Sequence, residues 1–301
     1  MSAVTLKSLG EDQLVAELTR GLARGSKVRV GIGDDCAVIG RPRDEVWTLL
    51  KADAVVEGVH FREGENWERA GWKAICRAIS DIAAMGGIPE YALVTLALPV
   101  ETTVARAKAF YRGLKRAGKR FGVEIVGGET SRSPGPLFCS IALAGRVERT
   151  RCVLRSGGQA GDAIYVTGRL GGSLRTGKHF DFVPRLEEAR WLGGAFRLHA
   201  MMDLSDGLAA DLPRLAAASG CGFEIWENQI PKTRGCSIRE ALGDGEDFEL
   251  LFCLAPTDGP KLEAAWKRQF PRIPLTRIGV LRPRTRRKQV MKSAHGFDHF
   301  A

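Results

Sequence analysis

Apolar and polar positions fall into two alternating patterns. Between residues 67 and 85, Ile75, Ala78, Ile79 and Ile82 recur at helical spacing, and Gly86-Gly87 ends the run as a helix exit. Val104, Ala107, Tyr111, Leu114 and Phe121 mark one face of a second helix. Short apolar runs at 28–32, 46–50, 91–98, 123–126 and 137–147 read as strands. This first unit closes near residue 150. The pattern restarts with a strand at 163–167, a helix carrying Leu208, Leu212 and Leu215, and strands at 223–226, 248–254 and 277–281. Ser205 or Asp206 is the expected N-cap of that helix. The chain therefore reads as α/β (α+β type) in two domains, 1–150 and 151–301, the second alternating helix and strand. Residues 172–201 show no clear period, and no repeat is visible.

Composition agrees with this picture. At ~150 residues per domain, 301 residues make two domains that can share a cleft. No apolar run reaches the ~18 residues of a membrane span, and residues 1–22 lack the basic and apolar regions of an export signal. Seven scattered cysteines, none in a CxxC pair, fit reduced thiols in a cytoplasm better than disulfides or zinc. The net charge of +10 favours polyanions without choosing among them. Arg282, Arg284, Arg286, Arg287 and Lys288 carry no interleaved aromatics, so they read as solvated surface, and nucleic-acid binding rests on charge alone.

The candidate chemistry lies in acidic turns. Asp34, Asp35, Asp53, Asp81, Glu129, Asp203, Asp206, Glu246 and Asp247 sit mostly beside Gly or Ser where an element ends. Each alone reads as a turn residue. Were several to converge about 6 Å apart, each pair would repel by roughly 3 kcal/mol at an effective dielectric near 20, and bound cations would be needed. Magnesium suits carboxylate oxygens and bridges nucleotide phosphates. Asp81, near a helix C-terminus, faces the negative end of the helix dipole and needs a compensating cation.

The blocks Gly31-Ile-Gly-Asp-Asp-Cys-Ala37, Asp53 with Glu57-Gly-Val-His-Phe61, and Ser80-Asp-Ile-Ala-Ala-Met-Gly86 resemble, in order and spacing, the signature of thiamine-monophosphate kinases. The resemblance continues through Gly127-Gly-Glu-Thr130, Arg155-Ser-Gly-Gly158, Gly161-Asp162, Asp203-Leu-Ser-Asp-Gly207, Gly245-Glu-Asp-Phe-Glu-Leu-Leu251 and Gly296-Phe-Asp-His-Phe300. It implies the two-domain aminoimidazole ribonucleotide synthetase-like fold, with N-terminal sheets joined into a barrel in a homodimer. It also implies a cytoplasmic, ATP- and magnesium-dependent kinase making thiamine diphosphate from thiamine monophosphate without a GxxxxGK[ST] loop, which this chain indeed lacks. By position, Asp35, Asp53, Asp81, Asp203 and Asp206 resemble magnesium ligands, with Asp34 supporting and Glu129 beside them; Asp35, Asp53, Asp81 and Asp206 are the implied catalytic acids. Tyr111, Gly128, Glu129, Arg155 and Ser205 resemble ATP-contacting positions, and His60, Glu246 and Phe297 substrate-side ones. Cys36 reads as structural.

The chain departs from the family pattern at several points. Lys51-Ala52-Asp53 stands where Ser-Thr-Asp is usual, so two hydroxyls are missing and an ammonium stands near the expected metals. Glu129 replaces Asp, Ala294 falls where a Trp is common, Asp244 replaces a Gly, and residues 172–201 are a shortened stretch. Two readings therefore stand beside the first: the same ATP chemistry on another phosphate or carboxylate substrate, and a nucleotide-binding paralogue without turnover.

Overall fold

The computed structural model describes residues 5–23, 25–285, 291, 294–297 and 300. Arg286, Arg287 and Lys288 of the basic run lie outside the described residues, as do Asp298 and His299 of the last block.

Two helices, α1 (Leu6–Leu9) and α2 (Glu11–Leu18), open the chain and bury none of their side chains. The first sheet comprises β1 (Val28–Val30), β2 (Ala37–Ile39), β3 (Val46–Val56), β4 (Ile88–Leu98), β5 (Glu124–Arg132) and β6 (Phe138–Glu148), in the order β1-β2-β3-β6-β4-β5. Helices α3 (Trp67–Ala84) and α4 (Val104–Phe121) cover one face. All strand neighbours are antiparallel except β4 and β5, which α4 connects as a crossover. The helix boundaries follow local chemistry. Asn66 accepts from the N–H groups of Glu68 and Arg69 to start α3, and Gly86 at φ 71° with Gly87 bonded back to Ile82 ends it.

The two helices touch backbone to backbone. A Cβ on Gly71 would lie 2.0 Å from the Phe110 carbonyl oxygen, and one on Gly113 would lie 1.9 Å from that of Glu68. This close pairing, with the sheet beneath and the second domain alongside, leaves fifteen of the eighteen α3 residues buried. The opposite face of the sheet is bare. Leu50, Tyr91, Leu93 and Phe138 are 38–49% exposed there, at alternate positions of β3, β4 and β6.

The second sheet holds β7 (Ala163–Thr167), β8 (Leu198–Asp203), β9 (Cys221–Ile225), β10 (Leu250–Leu254) and β11 (Leu275–Pro283), in the order β8-β10-β7-β11-β9. Helical segments do join several of these strands, yet all pair antiparallel, so the alternation along the chain builds an α+β layer. The unpatterned stretch 172–201 folds as α5 (Ser173–Thr176), α6 (Lys178–Asp181), α7 (Leu186–Ala195) and the start of β8. Helix α8 (Leu208–Ala218) lays Leu208, Leu212 and Leu215 on one sheet face, and α9 (Ile238–Gly243) joins it there. Leu192 of α7 and Leu262 and Trp266 of α10 (Gly259–Gln269) pack on the other face, together with Ala83 of α3. Helix α3 thus serves both domains.

The expected capping of α8 is corrected. Its N-cap is Gly207, at φ 95°, with no side-chain cap bond, and Ser205 and Asp206 precede it. Asp206 has other partners: its carboxylate pairs with Arg214, and its N–H donates to Asp211 at 3.0 Å. Of the basic run, Arg282 pairs with Glu224 on the surface. All seven cysteines are free, and Cys36 is buried.

Candidate active site

Helix α3 carries Lys73, Arg77 and Asp81 at i, i+4 and i+8, a polar stripe along a mostly buried helix. The stripe faces a groove between the domains. Asp81, at the negative end of the helix, meets the cation its position demands: Lys51 Nζ on β3 lies 2.7 Å from its Oδ1. Arg77 grips both oxygens of Asp53 at 3.0 and 3.1 Å and reaches Glu246 Oε1 at 3.2 Å. Lys73 has a fully buried side chain, bonded to Glu246 Oε2 at 2.7 Å, the His60 carbonyl at 2.5 Å and His179 Nδ1 at 2.8 Å.

Two interlocked turns supply the far wall. Glu246 N–H donates to the Ser205 carbonyl at 2.6 Å, and Phe248 N–H to the Leu204 carbonyl at 2.8 Å. Glycine is required where they cross, because a Cβ on Gly245, at φ 69°, would sit 2.9 Å from the Ser205 carbonyl oxygen. Glu246 itself adopts φ 53°, a conformation a side chain rarely takes without a tightly determined setting. Phe297 N–H closes the wall on the Asp206 carbonyl at 2.9 Å.

The elements enclose a cavity of about 680 Å³ whose lining includes Asp34, Lys51, Asp53, Asp81, Arg155 and Asp203. A small cleft beside it is lined by His60, Glu246, Phe297 and Asp244, and the two spaces share Arg77, Ser205 and Asp206. Carboxylate oxygens of Asp35, Asp81 and Asp203 lie within 4.8 Å of one another, all three residues buried. At that separation each ionised pair repels by about 3.5 kcal/mol at an effective dielectric near 20, more than the folded chain gains from an ordinary hydrogen bond. Among the described residues, Asp35 Oδ2 is buried without a hydrogen-bond partner. A set of hard oxygen donors with one orphaned atom fits a divalent cation such as magnesium.

The titration behaviour reflects this crowding. Burial, reinforced by the Asp35 charge, pushes Asp203 and Asp34 each up to about 7. Burial pushes Asp81 well above the usual carboxylate range; Lys51 opposes this, while Asp203, Asp53 and Asp35 push the same way as burial. Burial would strip the Lys51 proton, but Asp81 and Asp53 outweigh it and hold the ammonium well above its ordinary value. Asp53 is buried too, yet Arg77 and Lys51 bring it below the usual carboxylate range. Guanidinium groups hold most of the remaining acids: Arg155 binds Asp35 at 2.5 and 3.1 Å, and Arg214 binds Asp206 and Asp211.

Not every residue singled out in the sequence comes here. Glu129 is exposed on the β5 edge strand, three strand spacings or about 14 Å from β3. Gly128 is closed against β4, where a Cβ would lie 1.9 Å from the Val94 carbonyl oxygen. Tyr111 packs against the N-terminal core and is not in the lining of either space. Conversely, the structure brings in Lys73, Arg77 and Arg214, which the sequence does not single out, and Ser80 of a signature block, whose hydroxyl donates to Asp203 at 2.5 Å. The i, i+4, i+8 spacing of Lys73, Arg77 and Asp81 was the available signal for the first two.

Comparison with known proteins matches this architecture. Residues 33–147 fit the model of the AIR synthase related protein N-terminal domain, and residues 159–288 that of its C-terminal domain. A thiamine-monophosphate kinase of Rhodopirellula baltica is 39% identical over 91% of this chain and 90% of its own length. The chain belongs to the thiamine-monophosphate kinase family. The Bacillus subtilis thiamine-monophosphate kinase is 31% identical, covering 97% of this chain and 100% of its own. Among solved structures, AaThiL complexed with AMPPCP and TMP superposes with a TM-score of 0.83 at 30% identity, covering 99% of this chain and 100% of that one. The two-domain thiamine-monophosphate kinase fold thus spans this chain almost end to end.

Proposed function

We propose that this protein transfers the terminal phosphoryl group of ATP to the phosphate of thiamine monophosphate, giving thiamine diphosphate and ADP. The observation that carries the reading is the junction of the two spaces: a large cavity with an acidic cluster and guanidinium groups opens, through Arg77, Ser205 and Asp206, onto the cleft of His60, Glu246 and Phe297. A nucleotide in the first and thiamine monophosphate in the second would meet at that junction, consistent with the family relationship and with the ATP analogue and TMP held by AaThiL.

In this reading Asp35, Asp81 and Asp203 would hold magnesium, with Asp34, Asp53 and Asp206 at the edges of the cluster. Magnesium, when bound, supplies neutralisation of the nucleotide's phosphate oxygens. The chain's own groups do the rest. Arg77, Arg155 and Arg214 offer planar donor forks suited to phosphate. The attacking oxygen belongs to the substrate's own phosphate, ionised near neutral pH, so neither an enzyme nucleophile nor a strong base is required. Residues of α2, among them Asp12, Val15 and Ala16, border the cavity.

The reading includes a homodimer. The bare apolar face around Leu50, Leu93 and Phe138 suits burial against a second copy, and such pairing is a route by which Glu129 and Tyr111 of one protomer could approach the acids of another. No described helix is long and apolar enough to cross a membrane, and free cysteines accord with a cytoplasmic enzyme. Incubation with ATP, magnesium and thiamine monophosphate, followed by chromatography of the thiamine species, tests the function. Thiamine diphosphate is the expected product, and its absence at saturating substrates removes the reading.

A further inference from the structure

Lys51 differs in kind from the guanidinium groups of the groove. Arg77 and Arg155 hold their carboxylates through two nitrogens of a planar fork and Arg214 joins Asp206 and Asp211 through one, whereas Lys51 presents a compact point charge and makes one short bond, 2.7 Å to Asp81 Oδ1. It reaches that oxygen from the middle of β3, whose register with β6 pairs Lys51 with Leu143 and Asp53 with Ile141, so the strand cannot slide to withdraw it. Asp81 is one of the three clustered carboxylates, and Asp35 in the same cluster keeps a buried oxygen with no partner. Two carboxylates of the cluster are thus served by tethered cations, Asp81 by Lys51 and Asp35 by Arg155 through Oδ1, while Asp35 Oδ2 is left open to an ion.

We propose that Lys51 is a built-in cation of this site: its ammonium fills one cation position beside Asp81 and Asp53, so the cluster accepts one fewer divalent ion than its carboxylates alone would take. The proposal rests on the reading of the cluster as a divalent-cation site. A tethered +1 charge keeps the acids assembled before any ion arrives and fixes where the remaining ions enter, on the Asp35 and Asp203 side. It also gives a physical role to the Lys51-Ala52 departure, since an ammonium replaces both a lost hydroxyl ligand and the ion that ligand would have served.

The test counts ions rather than turnover. Mn2+ binding to the purified protein, without nucleotide, is followed by electron paramagnetic resonance of the free ion, for the parent, Lys51→Ser and Lys51→Met. Melting temperatures are recorded in EDTA and in excess Mg2+. The proposal expects one further Mn2+ per chain in both variants, a lower melting temperature than the parent in EDTA, and recovery of that loss in Mg2+. Lys51→Met preserves volume, so it reports on charge even if Lys51→Ser folds poorly. Equal Mn2+ stoichiometry in parent and variants overturns the proposal and leaves the cation site standing. No Mn2+ binding by any of the three overturns the cation site itself, and the proposal with it.

Discussion

The Lys73–Glu246 pair offers the sharpest energetic test. Lys73 has no exposed side-chain surface, and Glu246 is its one carboxylate contact at 2.7 Å among the described residues. Burial alone would raise Glu246, but His179, Lys73 and Arg77 outweigh it and bring the carboxyl down to about 2 from its ordinary 4.5. That difference corresponds to about 3 kcal/mol, in line with the ~3–5 kcal/mol typically lost when one partner of a buried pair is removed. Glu246→Gln should therefore destabilise the empty protein by about 3 kcal/mol near neutral pH.

The pH dependence has a definite sign. Glu246 has a depressed folded pKa, so its contribution is fully present above 4.5 and is lost as pH falls toward 2. Lys73 is lowered to about 8, mainly by burial, with Glu246 pulling it back up. Without Glu246 it falls further, and the variant then sheds this proton at a pH where the parent still holds it. The deficit should be greatest between pH 5 and 7 and shrink as pH approaches 8. Urea unfolding at pH 6 and 8.5 reads this directly. A deficit below about 1 kcal/mol at pH 6, the range of an exposed pair, would refute the reasoning, as would an equal deficit at both pH values. Adding Lys73→Met should restore most of the loss, because a neutral side chain of similar volume needs no carboxylate.

Three other outcomes are expected. Asp53→Asn should reduce kcat about 100-fold, roughly 3 kcal/mol of transition-state stabilisation, with an unchanged circular-dichroism spectrum; near-normal turnover would argue against any role for this acid in holding cations. Gly113→Ala should cost about 2–3 kcal/mol in denaturant unfolding, because its Cβ would meet the Glu68 carbonyl oxygen at 1.9 Å; a neutral result would mean that α3 and α4 separate easily. Leu93→Glu, on the bare sheet face, should give a monomer by light scattering with loss of activity; a dimer of normal activity would place the interface elsewhere.

What the sequence made legible follows from how local the signals are. Strand β7 is legible to the residue because all five of its side chains are buried, giving a short run of apolar and β-branched residues. Helices α3 and α4 are legible from the helical spacing of Ile75, Ala78, Ile79 and Ile82 and of Val104, Ala107, Tyr111, Leu114 and Phe121, with Gly86-Gly87 ending the first. Strand β8, residues Leu198–Asp203, escaped because His199 and two methionines blur its pattern and α7 precedes it closely. The α8 cap was misread for a tertiary reason: Arg214, two turns into the helix, draws Asp206 away from capping. Candidate acids could be gathered by their turns, but not sorted by face. Glu129 lies beside Gly128 just as Asp34 lies beside Gly33, and only the strand order shows that one sits at a sheet edge and the other in the groove. Lys73 and Arg77 were hidden for the opposite reason, since charged residues within an apolar helix read first as a solvated edge.

The central claim is direct, magnesium-assisted transfer from ATP to a substrate phosphate, and phosphorus NMR of the reacting mixture tests it most directly. With enzyme, Mg2+, ATP and thiamine monophosphate, the account predicts that the monophosphate resonance of thiamine monophosphate is replaced by the two coupled resonances of thiamine diphosphate, mole for mole with ADP. It also predicts that removing either thiamine monophosphate or Mg2+ stops both. ADP formation that proceeds without thiamine monophosphate, or that leaves its phosphate resonance unchanged, would contradict it.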